Sequence, residues 1–351
     1  MLIKSSSKNY FVSISTSFGD FLDIEIDDST FVVVDSVVYE LYKTLFSKIP
    51  MNKMYVFVAT EDNKVIDQAL NICEKLTALN SKRNTHLISI GGGITQDVTG
   101  FVANVLYRGI KWTFYPTTLL AACDSCIGGK TSLNYKKYKN LLGTFYPPNN
   151  IVICTPFFKT LSQKDYLSGL GEIVKFGIMR GNDGLARIEK CIFDLLTRDD
   201  KELLKVVKDS LSFKKVFIED DEFDKGSRIK LNFAHTFGHA FETVTNYAIP
   251  HGTAVAMGVI VANKISLNRK WISNDFAVRA ENVLKQIIFI DKSLLNIPFS
   301  NLLSAIKKDK KQVDDNLTAV LYSEEKNDLK IVHDLSISEV QDAISYMLSI
   351  L

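Results

Sequence analysis

Between Phe31 and Tyr115, short β-rich runs alternate with helical stretches: Phe31–Val34 before Val37–Phe46, Met54–Ala59 before Val65–Leu79, and His86–Ile90 before a glycine cluster. Ile110–Tyr115 reads as a further strand running into Pro116. Strands that alternate with helices are joined by crossovers, and crossovers build a parallel sheet with helices packed on its faces. From about Leu161 the pattern changes to long segments of helical period, Gln163–Met179, Lys201–Phe217, Asn232–Thr245 and Thr253–Ser266. The expected fold is therefore an α/β domain over 1–158 followed by a mostly α-helical domain over 159–351. The join falls near Cys154–Leu161, where Pro156 and two phenylalanines suggest a packed connection rather than a loose linker. A chain of 351 residues is long for one core, so two domains meeting at a cleft are expected, and such a cleft is a common place for a ligand.

Composition narrows the partners. With 46% hydrophobic and 23% charged residues and a formal net charge of +2, the chain has the make-up of a soluble globular protein and no strong field directed at nucleic acid or an anionic membrane. The N-terminal MLIKSSSKNYFVSIS lacks the apolar core of a secretory signal, and no run approaches the roughly 18 apolar residues of a membrane span, which points to the cytoplasm. The five cysteines, Cys73, Cys123, Cys126, Cys154 and Cys191, lack the spacing of a disulfide framework. Cys123 and Cys126 form a C-x-x-C without the second pair that a zinc ribbon needs. The basic run Lys307–Lys311, with Lys310 inside it, reads as solvated surface.

Gly91, Gly92 and Gly93 follow a strand and precede the helical stretch Val98–Tyr107. Glycines there let backbone approach a pyrophosphate, and the helix N-terminus offers free N–H groups and the positive end of its dipole. The run is not the spaced G-x-G-x-x-G fingerprint, so a tight structural turn explains it as well. Asp97 would add a capping or hydroxyl-binding carboxylate. Glu61 and Lys64, just after Met54–Ala59, and Asp35, just after Phe31–Val34, lie at the carboxyl ends of strands, where open α/β sheets bind ligands.

Three of the five histidines, His235, His239 and His251, fall within seventeen residues. The spacing of four places His235 and His239 on one helical face, a geometry suited to a shared divalent metal. His251 follows the short turn Tyr247–Pro250, and Glu172 in GLGEIVK offers an oxygen ligand. Periodicity favours His235 with His239 and leaves open which histidines touch the metal and which orient a ligand.

Taken in order, Gly91-Gly92-Gly93, Tyr107-Arg108-Gly109, Pro116-Thr117-Thr118-Leu119-Leu120-Ala121, Asp124-Ser125, Gly128-Gly129-Lys130-Thr131, Lys139-Asn140, Glu172 with Lys175, Leu231-Asn232, His235-Thr236, Gly238-His239 and His251-Gly252 resemble the 3-dehydroquinate synthases. The resemblance runs from Asp35 to the Asp309-Lys310-Lys311 run. It implies a Rossmann-like N-terminal domain, an α-helical metal-binding C-terminal domain and a homodimer. It implies Glu172, His235 and His251 as ligands of zinc or cobalt, which overrules the periodicity preference for His239. That residue is instead implied near the substrate phosphate, as a catalytic group with Asp124, Lys130 and Lys175. Asn140, Lys214, Arg228, Asn232 and Lys310 resemble substrate contacts, and Arg108 resembles a phosphate ligand reaching in from the partner subunit. Asp35, Glu61, Lys64, Gly91, Gly92, Gly93, Asp97, Thr117, Thr118, Lys139 and Thr160 stand where the family binds NAD. The C-x-x-C is then incidental, flanking Asp124-Ser125.

The reaction implied is the conversion of 3-deoxy-D-arabino-heptulosonate 7-phosphate to 3-dehydroquinate and phosphate in the shikimate pathway. Lys214, Arg228 and Asn232 favour a substrate bearing a carboxylate, since a planar carboxylate calls for a bidentate arginine. Three positions depart from the usual pattern: Thr253 stands for Glu, Ala234 for Gly and Gly171 for Ala. Thr253 keeps open another sugar phosphate cyclase, of the 2-deoxy-scyllo-inosose or 2-epi-5-epi-valiolone synthase type. A metal-dependent alcohol or glycerol dehydrogenase is the more distant alternative, because a simple polyol needs no set of anion-binding lysines and arginines. A non-catalytic relative is disfavoured, since every expected ligand and charged contact is present.

Overall fold

The first part of the chain is organised by strands β1 (Leu2–Ile3), β2 (Tyr10–Ser15), β3 (Thr30–Asp35), β4 (Met54–Phe57), β5 (His86–Gly91), β6 (Lys111–Pro116), β7 (Lys130–Tyr135), β8 (Tyr138–Phe145) and β9 (Asn150–Cys154). The structure, a computed structural model, describes residues 1–19, 26–79, 82–136, 138–308 and 317–351. Among the described residues, seven strands form one sheet in the order β1-β2-β9-β6-β5-β3-β4. Only β1 runs antiparallel to its neighbour. Helices α1 (Ser36–Leu41), α2 (Ile66–Ala78) and α3 (Gly93–Val105) lie along the chain between these strands. The core of β3, Phe31–Val34, is buried without alternation, as expected of a strand covered on both faces.

Two compact units result: Met1–Leu161 with Leu203–Phe223, and Ser162–Glu202 with Asp224–Leu351. The helix α6 (Asp200–Asp220) thus gives most of its length to the sheet-containing unit, although in sequence it lies among the helices of the second. No single cut reproduces that grouping, because α6 is recruited by contacts distant in sequence, such as Lys4 N donating to Glu219 at 2.7 Å.

The second unit contains α4 (Gln163–Met179), α5 (Gly181–Leu196), α7 (His235–Val244), α8 (His251–Asn268), α9 (Asn274–Ile287), α10 (Phe299–Lys307) and α11 (Ile337–Ile350). It also holds an antiparallel hairpin, β10 (Leu317–Ser323) with β11 (Asp328–Leu335). Helix α8 is apolar all round and buried from Gly252 to Asn263, so it serves as the central post of this unit. Helices α4 and α7 pack on it closely: a Cβ on Gly252 would overlap the Ser168 carbonyl of α4, and a Cβ on Gly258 would overlap the Ala234 carbonyl at the start of α7. None of the described helices is long and apolar enough to cross a membrane.

Candidate active site

In the first unit, parallel register brings the carboxyl ends of the strands level: Asp35 pairs with Phe57 and Gly91 with Pro116. Helix α3 begins inside the glycine cluster rather than at Val98, with Gly92 as N-cap and no side-chain cap bond. Its first N–H groups have no intrahelical acceptors and face outward with the positive dipole end, an arrangement that fits an anion. A Cβ on Gly92 would meet Thr118 Cγ2 at 3.0 Å, and Thr117 N donates to Gly91 O at 2.9 Å. Gly91, Gly92, Gly93, Thr117 and Thr118 therefore form one patch. Asp35 caps α1 by accepting from Val37 N at 2.8 Å, and burial pushes its carboxyl up. Thr160 Oγ1 lies 2.8 Å from Tyr42 OH.

Beside that patch is a polar network. Asp97 does not cap α3; its carboxylate pairs with Lys64 Nζ at 2.5 Å and accepts from Ser132 N and Oγ, both at 3.1 Å. Burial pushes the Asp97 carboxyl up, against the opposing pull of Lys64. Lys64 Nζ also donates to Asn140 Oδ1 at 2.6 Å, while Lys139 Nζ lies 3.2 Å from Glu61 Oε1. Asn134, which the sequence did not single out, ties these together by donating to Glu61 at 2.8 Å and accepting from Asn140 N at 2.9 Å. Asn140 itself sits at φ +51°, in the left-handed region that asparagine tolerates.

Asp124 and Lys214 meet in the same unit: Lys214 Nζ lies 2.9 Å from Asp124 Oδ1 and donates to Asp124 O at 2.6 Å. Lys130 is exposed at the start of β7. Arg108 is exposed on a left-handed turn, with φ of +63°. The thiols of Cys123 and Cys126 bond to the carbonyls of Leu120 and Ala122, and burial pushes Cys126 up to about 12, so Cys126 is not poised for thiolate chemistry.

In the second unit, Glu172 on α4, His235 at the start of α7 and His251 at the start of α8 converge, with one ligand atom from each lying within 4.8 Å of the others. Glu172 Oε1 is 3.2 Å from His251 Nε2 and 3.5 Å from His235 Nε2. Ligand atoms on a tetrahedral zinc at bond lengths near 2 Å sit roughly 3.3 Å apart, so the spacing suits one ion. His235 Nδ1 is 3.0 Å from Phe233 O; a carbonyl can only accept, so this nitrogen carries the proton and Nε2 offers its lone pair. His251 Nδ1 is 3.1 Å from Glu242 Oε2. Burial opposes charge on His251, but Glu242 and Glu172 outweigh it and lift the imidazole to about 10. Burial also opposes ionisation of Glu172, and Lys175 and His251 outweigh it, bringing the carboxyl down to about 2. One carboxylate oxygen and two imidazole nitrogens at these spacings are a donor set that fits a divalent cation.

Lys175, one turn beyond Glu172 and almost wholly buried, pairs with Glu172 Oε2 at 2.5 Å and donates to Leu231 O at 3.1 Å. Arg228 and Asn232 share the 3-10 turn Ser227–Asn232, and Arg228 is buried. The His239 ring lies 5.2 Å from that of His235 and 5.8 Å from that of His251, and its ligand atom groups with those of Glu242 and His251. Glu242 is the residue that sequence reasoning missed. Its signal was present: it follows His235 by seven residues and His239 by three, on the same helical face. Lys310 lies outside the described residues.

A parallel sheet with a glycine-edged helix start, joined in one chain to a helical unit bearing a glutamate–histidine cluster, is a fold shared with solved sugar phosphate cyclases and with glycerol and iron-containing alcohol dehydrogenases. The 2-epi-5-epi-valiolone synthase from Streptomyces hygroscopicus subsp. jinggangensis, solved with NAD+ and Zn2+ bound, superposes with a TM-score of 0.84 over 97% of each chain at 20% identity. A 2-deoxy-scyllo-inosose synthase complexed with carbaglucose-6-phosphate, NAD+ and Co2+ gives 0.81 over 99% of each chain at 23% identity. The chain belongs to the 3-dehydroquinate synthase family. The family's N-terminal model matches residues 54–168 and its C-terminal model residues 169–312. The 3-dehydroquinate synthase of Clostridium tetani is 36% identical over 318 residues, 90% of this chain and 85% of that protein.

Proposed function

We propose that this chain is a 3-dehydroquinate synthase: a carbon–oxygen lyase that converts 3-deoxy-D-arabino-heptulosonate 7-phosphate to 3-dehydroquinate and phosphate, in the cytoplasm, as a homodimer. The observation that carries the reading is the convergence of Glu172, His235 and His251 with Lys175 in a member of this family. Bound NAD would supply a hydride acceptor that is regenerated in each turnover, and Glu172, His235 and His251 would hold a divalent metal that would supply Lewis acidity at the substrate hydroxyl.

The chain's own residues bind and orient around that chemistry. Gly91, Gly92, Gly93, Thr117 and Thr118 form the cofactor's phosphate cradle, and Asp35, Glu61, Lys64, Asp97, Lys139 and Thr160 surround it. Lys130, Lys175, Lys214 and Asn140 supply fixed charge and hydrogen bonds to the oxyanions and to the departing phosphate. Asp124 holds Lys214 in place, and His239 serves the phosphate end. Arg228 and Asn232 hold the substrate carboxylate, with Lys310 as a further contact. Arg108, exposed on its left-handed turn, is available to the phosphate site of a second copy.

Buried Thr253, where the family resemblance expects a glutamate, favours keeping a carboxylate-free sugar phosphate as the second reading. Phosphate release separates the two. The heptulosonate phosphate should be turned over in preference to sedoheptulose 7-phosphate and glucose 6-phosphate; preference for either of the latter would overturn the assignment in favour of another cyclase.

A further inference from the structure

We propose that Glu242 is a positioning residue for His251: its carboxylate holds the Nδ1 proton, so that Nε2 faces Glu172 and His235 with its lone pair directed at the metal. The inference rests on reading Glu172, His235 and His251 as the metal ligands. Glu242 Oε2 lies 3.1 Å from His251 Nδ1, and the Glu242 side chain is only 13% exposed, so the contact is little diluted by solvent. Its origin on α7 matters. The same helix supplies the ligand His235 and, two turns on, the group that orients the ligand of α8, so one rigid element fixes both imidazoles.

Two overlapping trios share His251, namely Glu172–His235–His251 and His239–Glu242–His251. The two nitrogens of His251 face opposite trios. With Nδ1–H donating a hydrogen bond to the Glu242 carboxylate, the second trio is a hydrogen-bonded support and the first is the ion site. A carboxylate on the far nitrogen also raises the basicity of the near one, and loss of such partners typically weakens metal binding 10–100-fold.

The test is zinc or cobalt affinity of the chelator-treated full-length chain, measured by competition with a chromogenic chelator, alongside urea unfolding of the metal-free protein. Glu242→Gln should bind metal roughly 10–100-fold more weakly than wild type while unfolding similarly without metal, and Glu242→Asp should recover part of the loss. His235→Ala should cost far more affinity than His239→Ala. Wild-type affinity in folded Glu242→Gln would overturn the positioning role. Loss of binding in His239→Ala with retention in His235→Ala would instead place the ion in the second trio. A wild-type chain that binds neither metal would overturn the ligand reading itself, which distinguishes that failure from failure of the Glu242 proposal.

Discussion

Glu172 Oε1 and His251 Nε2 meet at 3.2 Å because the helices that carry them touch backbone to backbone, with Gly252 N donating to Ser168 Oγ at 2.9 Å. A Cβ at Gly252 has nowhere to go, since the atom it meets is a main-chain carbonyl. Gly252→Ala should therefore force α4 and α8 apart, at about 1–3 kcal/mol of stability by urea unfolding. Metal affinity should fall with it. Unchanged unfolding and unchanged affinity would show that the two helices have slack.

Ala234 begins α7 at φ +69°, in the left-handed region, with its carbonyl accepting from Gly238 N at 2.9 Å. A side chain there costs roughly 1–2 kcal/mol, which glycine avoids at the expense of some unfolded-state entropy. This is the physical content of the departure from the glycine expected at this position. Ala234→Gly should raise stability by about 0.5–1 kcal/mol, read by denaturant midpoint, with the metal site unaltered.

In the proposed function, buried Arg228 holds the substrate carboxylate. A hydrogen bond to a charged group contributes about 1.5–3 kcal/mol, so Arg228→Ala should lower kcat/KM for the heptulosonate phosphate by roughly tenfold to over a hundredfold. Arg228→Lys should restore only part, having lost the planar fork. NAD and metal affinities, measured separately, should stay near wild type.

The C-terminal helix carries a pH dependence of its own. Hydrogen bonds from Arg269 at 2.8 and 3.1 Å bring the Glu339 carboxyl down to about 2, from an ordinary value of 4.5. A carboxyl lowered on folding stabilises the native state above about pH 4.5, and that contribution fades as pH falls towards 2. The Glu339 side chain is 31% exposed, so screening limits the pair to about 0.5–1 kcal/mol. Arg269→Met should be less stable than wild type by that amount at pH 7 in urea unfolding, and the gap should narrow by pH 3. A gap independent of pH would assign the loss to packing instead.

How far the sequence could be read depended on how local each signal was. Gln163–Met179 is recovered residue for residue, and the parallel sheet is visible in the spacing of its strands. Strand β10 was missed within the helical unit because it is buried at every position, so it shows no alternation. His235 and His251 stood out by rarity. Glu172, 79 residues from His251, was a candidate oxygen ligand in the sequence, but its grouping with His235 and His251 in place of His239 came from the family resemblance. Glu242 was legible in principle, since helical periodicity alone puts it on the histidine face. Of the two roles open to Asp97, capping or binding a hydroxyl, the structure removes only capping, because its partners Lys64 and Ser132 arrive from distant parts of the chain.

A cyclase that recycles its cofactor is tested most directly by the ratio of phosphate released to NAD supplied. With the heptulosonate phosphate in excess and NAD limiting, phosphate should accumulate far beyond the NAD present, with no net rise in NADH absorbance. NADH appearing in step with product, or phosphate release that stops at one equivalent of NAD, would contradict the account.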